Sequence, residues 1–345
     1  LCRFRHIFST VIFQNRGIDK SLLVENKELS MNFLNKLSYP KNQFKRVAPV
    51  LLGVMTVLAC SDGSTDTINT AATTTAGVLC NYAANVFNGS ASVNATSTST
   101  WSCTSTKRNL TANGLPDHDV GTFPNANNPN AIAAQSITAS LNLSPSYSGA
   151  VRVLGGAAGG AGYVLNGVKI DAATAGTCND GGSVCDAKGN VGSWKIEAVN
   201  SGFNFGTDSN NAHVQPGGTY HYHGMPEGFI TKLGKGATMT LIGWAVDGFP
   251  IYARYGYATA NSASSAIKVV TSSYRLKASV PSNRAPTSQY KLGTFEQDYE
   301  YVSGLGDLDE CNGRYGVTPE FPAGTYHYFA TDTYPFLQRC VKGNV

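Results

Sequence analysis

Five of the six histidines of this 345-residue chain lie beyond residue 59, and each sits in a compact motif. They are His118 in Pro-Asp-His-Asp, His213 in Ala-His-Val-Gln-Pro, His221 and His223 in Thr-Tyr-His-Tyr-His, and His327 in Thr-Tyr-His-Tyr-Phe. Imidazole is the commonest protein ligand for metals and the side chain best suited to proton transfer near neutral pH. Two of the motifs are copies: Pro216-Gly-Gly-Thr-Tyr-His-Tyr222 recurs as Pro322-Ala-Gly-Thr-Tyr-His-Tyr328. On an extended strand alternate side chains share a face, so His221 and His223 point one way while Tyr220 and Tyr222 point the other. That pair, joined by His327 from a matching strand, makes three protein ligands with one open position, the layout of a catalytic zinc site. His213 and the Asp117-His118 loop then complete the shell or hold a second ion. The competing reading is structural, with each imidazole hydrogen-bonded to backbone in a β core and flanked by tyrosines.

Other side chains supply the rest of a hydrolytic site. Asp117, His118 and Asp208 are the expected acid–base groups, with Glu227 a further carboxylate close to the histidine motif. Arg254 and Arg314 are expected anion clamps, since guanidinium matches phosphate or carboxylate in bidentate geometry. The chemistry this set points to is hydrolysis of phosphate or carboxylic esters, on a small-molecule substrate of anionic character. The ion is a divalent metal, zinc first, with copper, manganese and calcium as alternatives. Asp307, Asp309 and Glu310 form an oxygen-rich cluster that reads either as a calcium site or as a solvated turn. Two other function classes stay open. Met225, two residues after His223, offers a thioether to copper, and the tyrosines offer a contact face for adhesion or glycan binding. The chain has no Gly-x-Ser-x-Gly elbow, no His-Glu-x-x-His, and no Gly-Lys-Ser/Thr after its Gly155–Gly162 run. Serine hydrolases of the α/β type, helical zinc proteases and phosphate-loop enzymes are therefore set aside.

The elements that must carry these residues are strands. Pieces such as 150–154, 193–198, 238–246 and 265–271 are rich in Val, Ile, Thr and aromatic residues and alternate with Gly, Asn, Pro and Ser turns. With 37 Gly and only 14% charged residues, long amphipathic helices are not expected. The fold class is mainly β, a sandwich or barrel with long functional loops. A second short repeat, Asn166-Gly-Val-Lys-Ile170 and Asp247-Gly-Phe-Pro-Ile251, precedes each histidine strand. It implies two related modules, roughly 150–230 and 240–340, packed about a pseudo-two-fold axis with the two histidine strands side by side at its centre.

The N-terminal region reads as targeting sequence. The first Met is Met31, which makes 1–30 an upstream extension of the reading frame. From Met31 a basic stretch leads into the apolar run Val47–Ala59, too short to span a bilayer and fitting a signal peptide. The run ends Val57-Leu58-Ala59-Cys60, which resembles a bacterial lipobox and would lipidate Cys60; cleavage by ordinary signal peptidase is the alternative. Residues 60–77, rich in Ser, Thr, Asp and Ala, read as a tether to a folded body over 78–345. Export to the periplasm or cell surface, with a lipid anchor in the membrane, is the expectation. Residues 1–59 hold nine of the 26 basic and three of the 22 acidic residues, leaving 17 against 19. No basic patch remains to recruit nucleic acid. Beyond Cys60 there are six cysteines without a Cys-x-x-Cys pair. Proximity favours the disulfides Cys80–Cys103, Cys178–Cys185 and Cys311–Cys340, as an oxidising compartment allows, over a thiolate zinc site.

Thr219-Tyr-His-Tyr-His-Gly-Met-Pro226, Gly243-Trp-Ala-Val-Asp-Gly-Phe-Pro-Ile-Tyr252 and Phe321-Pro-Ala-Gly-Thr-Tyr-His-Tyr328 together resemble the YHYH-domain family. Asn113-Gly-Leu-Pro-Asp-His-Asp-Val-Gly121 and Phe123-Pro-Asn125 resemble its upstream part, so the resemblance covers roughly 100–345. It implies an exported bacterial protein and supplies no reaction. Phe329 stands where the first motif has His223, which departs from a symmetric pattern.

Overall fold

The computed structural model describes residues 80–154, 160–199 and 202–345. The leader, the Cys60 lipobox and the tether lie outside the described residues. Four strands, β1 (Ala83–Asn88), β2 (Ala95–Cys103), β3 (Lys107–Ala112) and β4 (Ile137–Asn142), form an antiparallel meander in sequence order. β5 (Tyr147–Val153) pairs with the last strand of the chain, β21 (Cys340–Gly343).

The centre of the molecule is an eight-stranded sheet that curls as a half-barrel. Its first half contains β6 (Gly160–Val164), β7 (Lys169–Asp171), β11 (Ala212–Val214) and β12 (Tyr220–Tyr222). After the single helix of four or more residues among those described, α1 (Glu227–Leu233), the second half contains β13 (Thr240–Ala245), β14 (Pro250–Ala253), β19 (Gly313–Gly316) and β20 (Thr325–Ala330). The strand order is β11-β12-β7-β6-β13-β14-β20-β19. Read outward from the middle, both halves follow one plan: an antiparallel hairpin, then a parallel neighbour, then an antiparallel edge strand.

The halves meet at β6 and β13, antiparallel, with Tyr163 opposite Trp244. Gly162 and Gly243 flank that pair. A Cβ on Gly162 would lie 2.3 Å from the carbonyl oxygen of Trp244, and one on Gly243 would lie 2.3 Å from that of Tyr163. Glycine is required at both places because the two backbones approach too closely for any side chain. The expected mainly-β, barrel-like fold with two related halves is therefore what the chain adopts. The expected placement of the histidine strands is not. β12 and β20 are separated by four strands, because the halves join through their first hairpins and carry the histidine strands outward.

In each half a long excursion separates the central hairpin from the histidine strand, and these excursions hold three small sheets. β8 (Thr177–Cys178), β9 (Cys185–Asp186) and β10 (Trp194–Lys195) belong to the first. β15 (Tyr255–Tyr257), β16 (Ile267–Val269), β17 (Tyr274–Leu276) and β18 (Tyr299–Tyr301) belong to the second. They share a satellite core of Trp194, Ile196, Phe205 and Phe295, apart from the main core over which the large sheet folds. All three expected disulfides form. Among the described residues no helix is long and apolar enough to cross a membrane.

Candidate metal centre

A tight turn builds the site. Gln215 and Thr219 close the β11–β12 hairpin with a backbone hydrogen bond, and Gly217 and Gly218, at φ 90° and 89°, turn the chain where a side chain would be strained. The resulting register sets His213 directly opposite His221, and residues so paired present their side chains on one face. The amide of His223 then bonds to the carbonyl of Asn211, which extends the strand alternation by one residue and brings His223 to the same face.

The three imidazoles converge. Nε2 of His223 lies 3.0 Å from Nε2 of His221 and 3.1 Å from Nε2 of His213. The opposite ring nitrogens are anchored: Nδ1–H of His221 donates to the carbonyl of Thr219 at 3.1 Å, and that of His213 to the carbonyl of Phe205 at 3.1 Å. Those bonds place the Nε2 lone pairs of both rings toward the middle, the outer-shell arrangement by which histidine ligands are usually oriented. A proton on Nε2 of His223 serves only one of its two neighbours. A tetrahedral ion held at about 2.0–2.1 Å spaces its nitrogen ligands about 3.3 Å apart, close to the two separations made by His223, and all three ligand atoms lie within 4.8 Å of one another. Burial drives the His221 and His223 imidazoles well below their ordinary range and that of His213 down as well, and neighbouring histidines add to the effect for His221 and His223. Neutral imidazole is the form that binds a metal. These three residues are the single cluster of metal-ligating side chains among the described residues whose ligand atoms all lie close together.

A carboxylate adjoins the triad. Oδ2 of Asp171, on neighbouring β7, lies 3.6 Å from Nε2 of His221 and 2.9 Å from Nζ of Lys169. Oδ1 of Asp171 is buried without a protein partner. Burial raises this carboxyl's pKa, and the Lys169 ion pair partly offsets that. Lys169 also donates to Oε1 of Gln215, in the turn that carries the histidines. Neither residue stood out in the sequence; the available signal was that Asp171 directly follows the Asn-Gly-Val-Lys-Ile repeat, where the second copy has Tyr252.

The other expected site residues lie elsewhere. His118 sits across β12, on the tyrosine face: its Nε2 accepts from the Tyr222 hydroxyl at 2.5 Å, while Nδ1–H donates to the carbonyl of Asp119. Asn166 donates to both the Tyr222 hydroxyl and Asp117, and Lys232 caps Asp117 at 2.8 Å. This is a satisfied buried network with its back to the triad. Asp208 accepts from the Tyr220 hydroxyl at 2.8 Å and from the amide of Gly121, so it clamps the strand. Arg254 pairs with Glu227 and Asp332. Arg314 and His327 face each other across β19 and β20 in the other half of the sheet. The acidic cluster is engaged as well: Lys342 pairs with Asp309 and Glu310, and Lys268 with Asp307.

Comparison with known proteins yields one finding. The family model described as YHYH protein matches residues 138–343, more than half of the chain. The upstream motif around His118 precedes the matched stretch. No curated protein and no solved structure matches. The match spans both histidine strands and both halves of the large sheet, and the chain belongs to the YHYH family.

Proposed function

We propose that this is an exported metal-binding protein in which His213, His221 and His223 hold one divalent ion, zinc first, and that it hydrolyses a small anionic ester there. The observation that carries the reading is the convergence of three buried imidazoles, two of them anchored through Nδ1, with Nε2 of His223 about 3 Å from Nε2 of each of the others. Three protein ligands leave a fourth tetrahedral position, and a divalent ion so held supplies Lewis-acid chemistry that brings the pKa of water toward about 7.

The chain's own contributions are Asp171 and Lys169. Asp171 is the proton acceptor, with Oδ2 oriented by Lys169 and Oδ1 left without a protein partner. Lys169 places the positive charge that suits an anionic ester, the task the sequence suggested for Arg254 and Arg314. Three disulfides support export. Met225, the soft ligand of the copper reading, packs within the main core. The tyrosines of the repeated histidine motifs offer no adhesion face, since Tyr220, Tyr222 and Tyr328 are 0% exposed.

The test is elemental analysis of protein expressed in defined medium, followed by assay against chromogenic phosphate and carboxylic esters. One ion per chain is expected, with Asp171→Asn keeping the ion and losing turnover by about 10²–10⁴-fold, the usual contribution of a general base. A metal-free wild-type chain overturns the metal reading; a metal-loaded wild-type chain that turns over neither ester class overturns the hydrolytic one, and full turnover in Asp171→Asn overturns the role given to Asp171.

A further inference from the structure

We infer that the C-terminal half of the sheet carries a second copy of the metal centre, disarmed by exchange of three of its four inward residues. This rests on reading the first centre as a metal site. The register makes the correspondence. Tyr222 pairs with Ile170 as Tyr328 pairs with Ile251, and His213 faces His221 as Arg314 faces His327. Counting along these strands sets Tyr252 at the place of Asp171 and Phe329 at the place of His223.

What both halves keep is scaffold. The Tyr220 hydroxyl donates to Asp208 at 2.8 Å, and that of Tyr326 to Asp309 at 2.9 Å. The Tyr222 hydroxyl bonds to Asn166, and that of Tyr328 to Asp247 at 2.7 Å. Asn211 and Asn312 adopt φ 55° and 58°, and their carbonyls accept from the amides of His223 and Phe329. Two strands pinned by the same bonds present their remaining side chains in the same way.

What differs includes the inward positions, and Lys169 gives way to Pro250 beside them. His213, His223 and Asp171 are replaced by Arg314, Phe329 and Tyr252, and His327 alone is retained. Its Nδ1–H donates to the carbonyl of Thr325 at 3.0 Å, as His221 does to Thr219. Its Nε2 is buried, in a residue 0% exposed, without a protein partner. A histidine kept only for packing gains nothing from that atom, since an unsatisfied buried acceptor costs free energy a phenylalanine ring would not. The nitrogen points where a ligand atom belongs. The Arg314 guanidinium, 5.2 Å above the Phe329 ring, brings a fixed positive charge beside it and so excludes a cation.

The experiment exchanges the two sets of residues in the full chain and counts ions by elemental analysis, with circular dichroism as the control for fold. Arg314→His/Phe329→His restores three histidines to the second half and should raise the count from one divalent ion per chain to two, with zinc as the probe. His213→Arg/His223→Phe gives the first half the second half's residues and should leave a folded chain without an ion. A folded Arg314→His/Phe329→His variant that stays at one ion overturns the inference. Unfolding of His213→Arg/His223→Phe also overturns it, because the residues are then not interchangeable between the scaffolds. A wild-type chain holding two ions overturns it as well, whereas a wild-type chain holding none removes instead the function proposed for the first centre.

Discussion

His213 and His221 are direct partners in the β11–β12 ladder, with their rings 4.7 Å apart between centroids and inclined at 81° and 71° to the ring of His223. One hairpin therefore sets all three imidazoles of the candidate site, and nothing from the other histidine strand is needed to complete the cluster.

Metal content should follow that hairpin. His213→Ala, His221→Ala and His223→Ala are each expected to weaken metal affinity by about tenfold or more, since even second-shell changes cost that much. His327→Ala should leave metal content unchanged. Elemental analysis beside circular dichroism checks this, and metal loss in His327→Ala alone would reverse the assignment.

The tyrosine face should report on stability rather than on metal. Tyr222→Phe removes the hydroxyl shared by His118 and Asn166, leaving a buried imidazole nitrogen and an amide short of a partner. A loss of about 1–3 kcal/mol is expected in denaturant unfolding, with metal content retained. His118→Ala should also destabilise without slowing turnover beyond the folded fraction, which distinguishes its network role from the proton shuttle its motif suggested.

Much of this was legible in the residues, and what was not has a physical reason. The i, i+2 spacing placed His221 and His223 on one face, and the Thr-Tyr-His-Tyr repeat announced two related halves. Cysteine proximity found the disulfides. The register between distant strands is not written in local pattern, so the joining of the halves through Tyr163 and Trp244, and hence the separation of His221 from His327, lay beyond reach. The same holds for His118, whose Pro-Asp-His-Asp setting is as compatible with catalysis as with a bond to a buried tyrosine 104 residues away. Asp171 was missed because a single carboxylate on a three-residue strand carries no motif.

The disulfides should differ in value. Cys311 and Cys340 close a loop with a sequence separation of 29 and tie the approach to β19 to β21, while Cys178 and Cys185 are separated by only 7. In the chain-entropy account the longer loop contributes about 1 kcal/mol more, within the usual ~2–4 kcal/mol for each bridge. Equilibrium unfolding of Cys311→Ser/Cys340→Ser beside Cys178→Ser/Cys185→Ser measures the difference; a larger loss from the short bridge would show that native packing outweighs loop closure here.

Acid should destabilise the protein through His327. Burial lowers its pKa from 6.5 to about 3, and the neighbouring Arg314 charge works in the same direction. In the unfolded chain the imidazole recovers its ordinary value, so between those limits the unfolded state binds the proton and the folded state does not. Stability then rises with pH through that window and is lost as pH falls from about 6.5 toward about 3. At roughly 1.4 kcal/mol per tenfold change in proton affinity, the ceiling is about 5 kcal/mol. The triad histidines titrate in the same sense, so the measurement is a comparison: denaturant midpoints against pH for the wild-type chain and for His327→Gln, which keeps a polar side chain that does not ionise. His327→Gln should show the shallower loss below pH 6.5. Parallel curves would mean that His327 protonates in the folded state, and its burial beside Arg314 would then not be what holds it neutral.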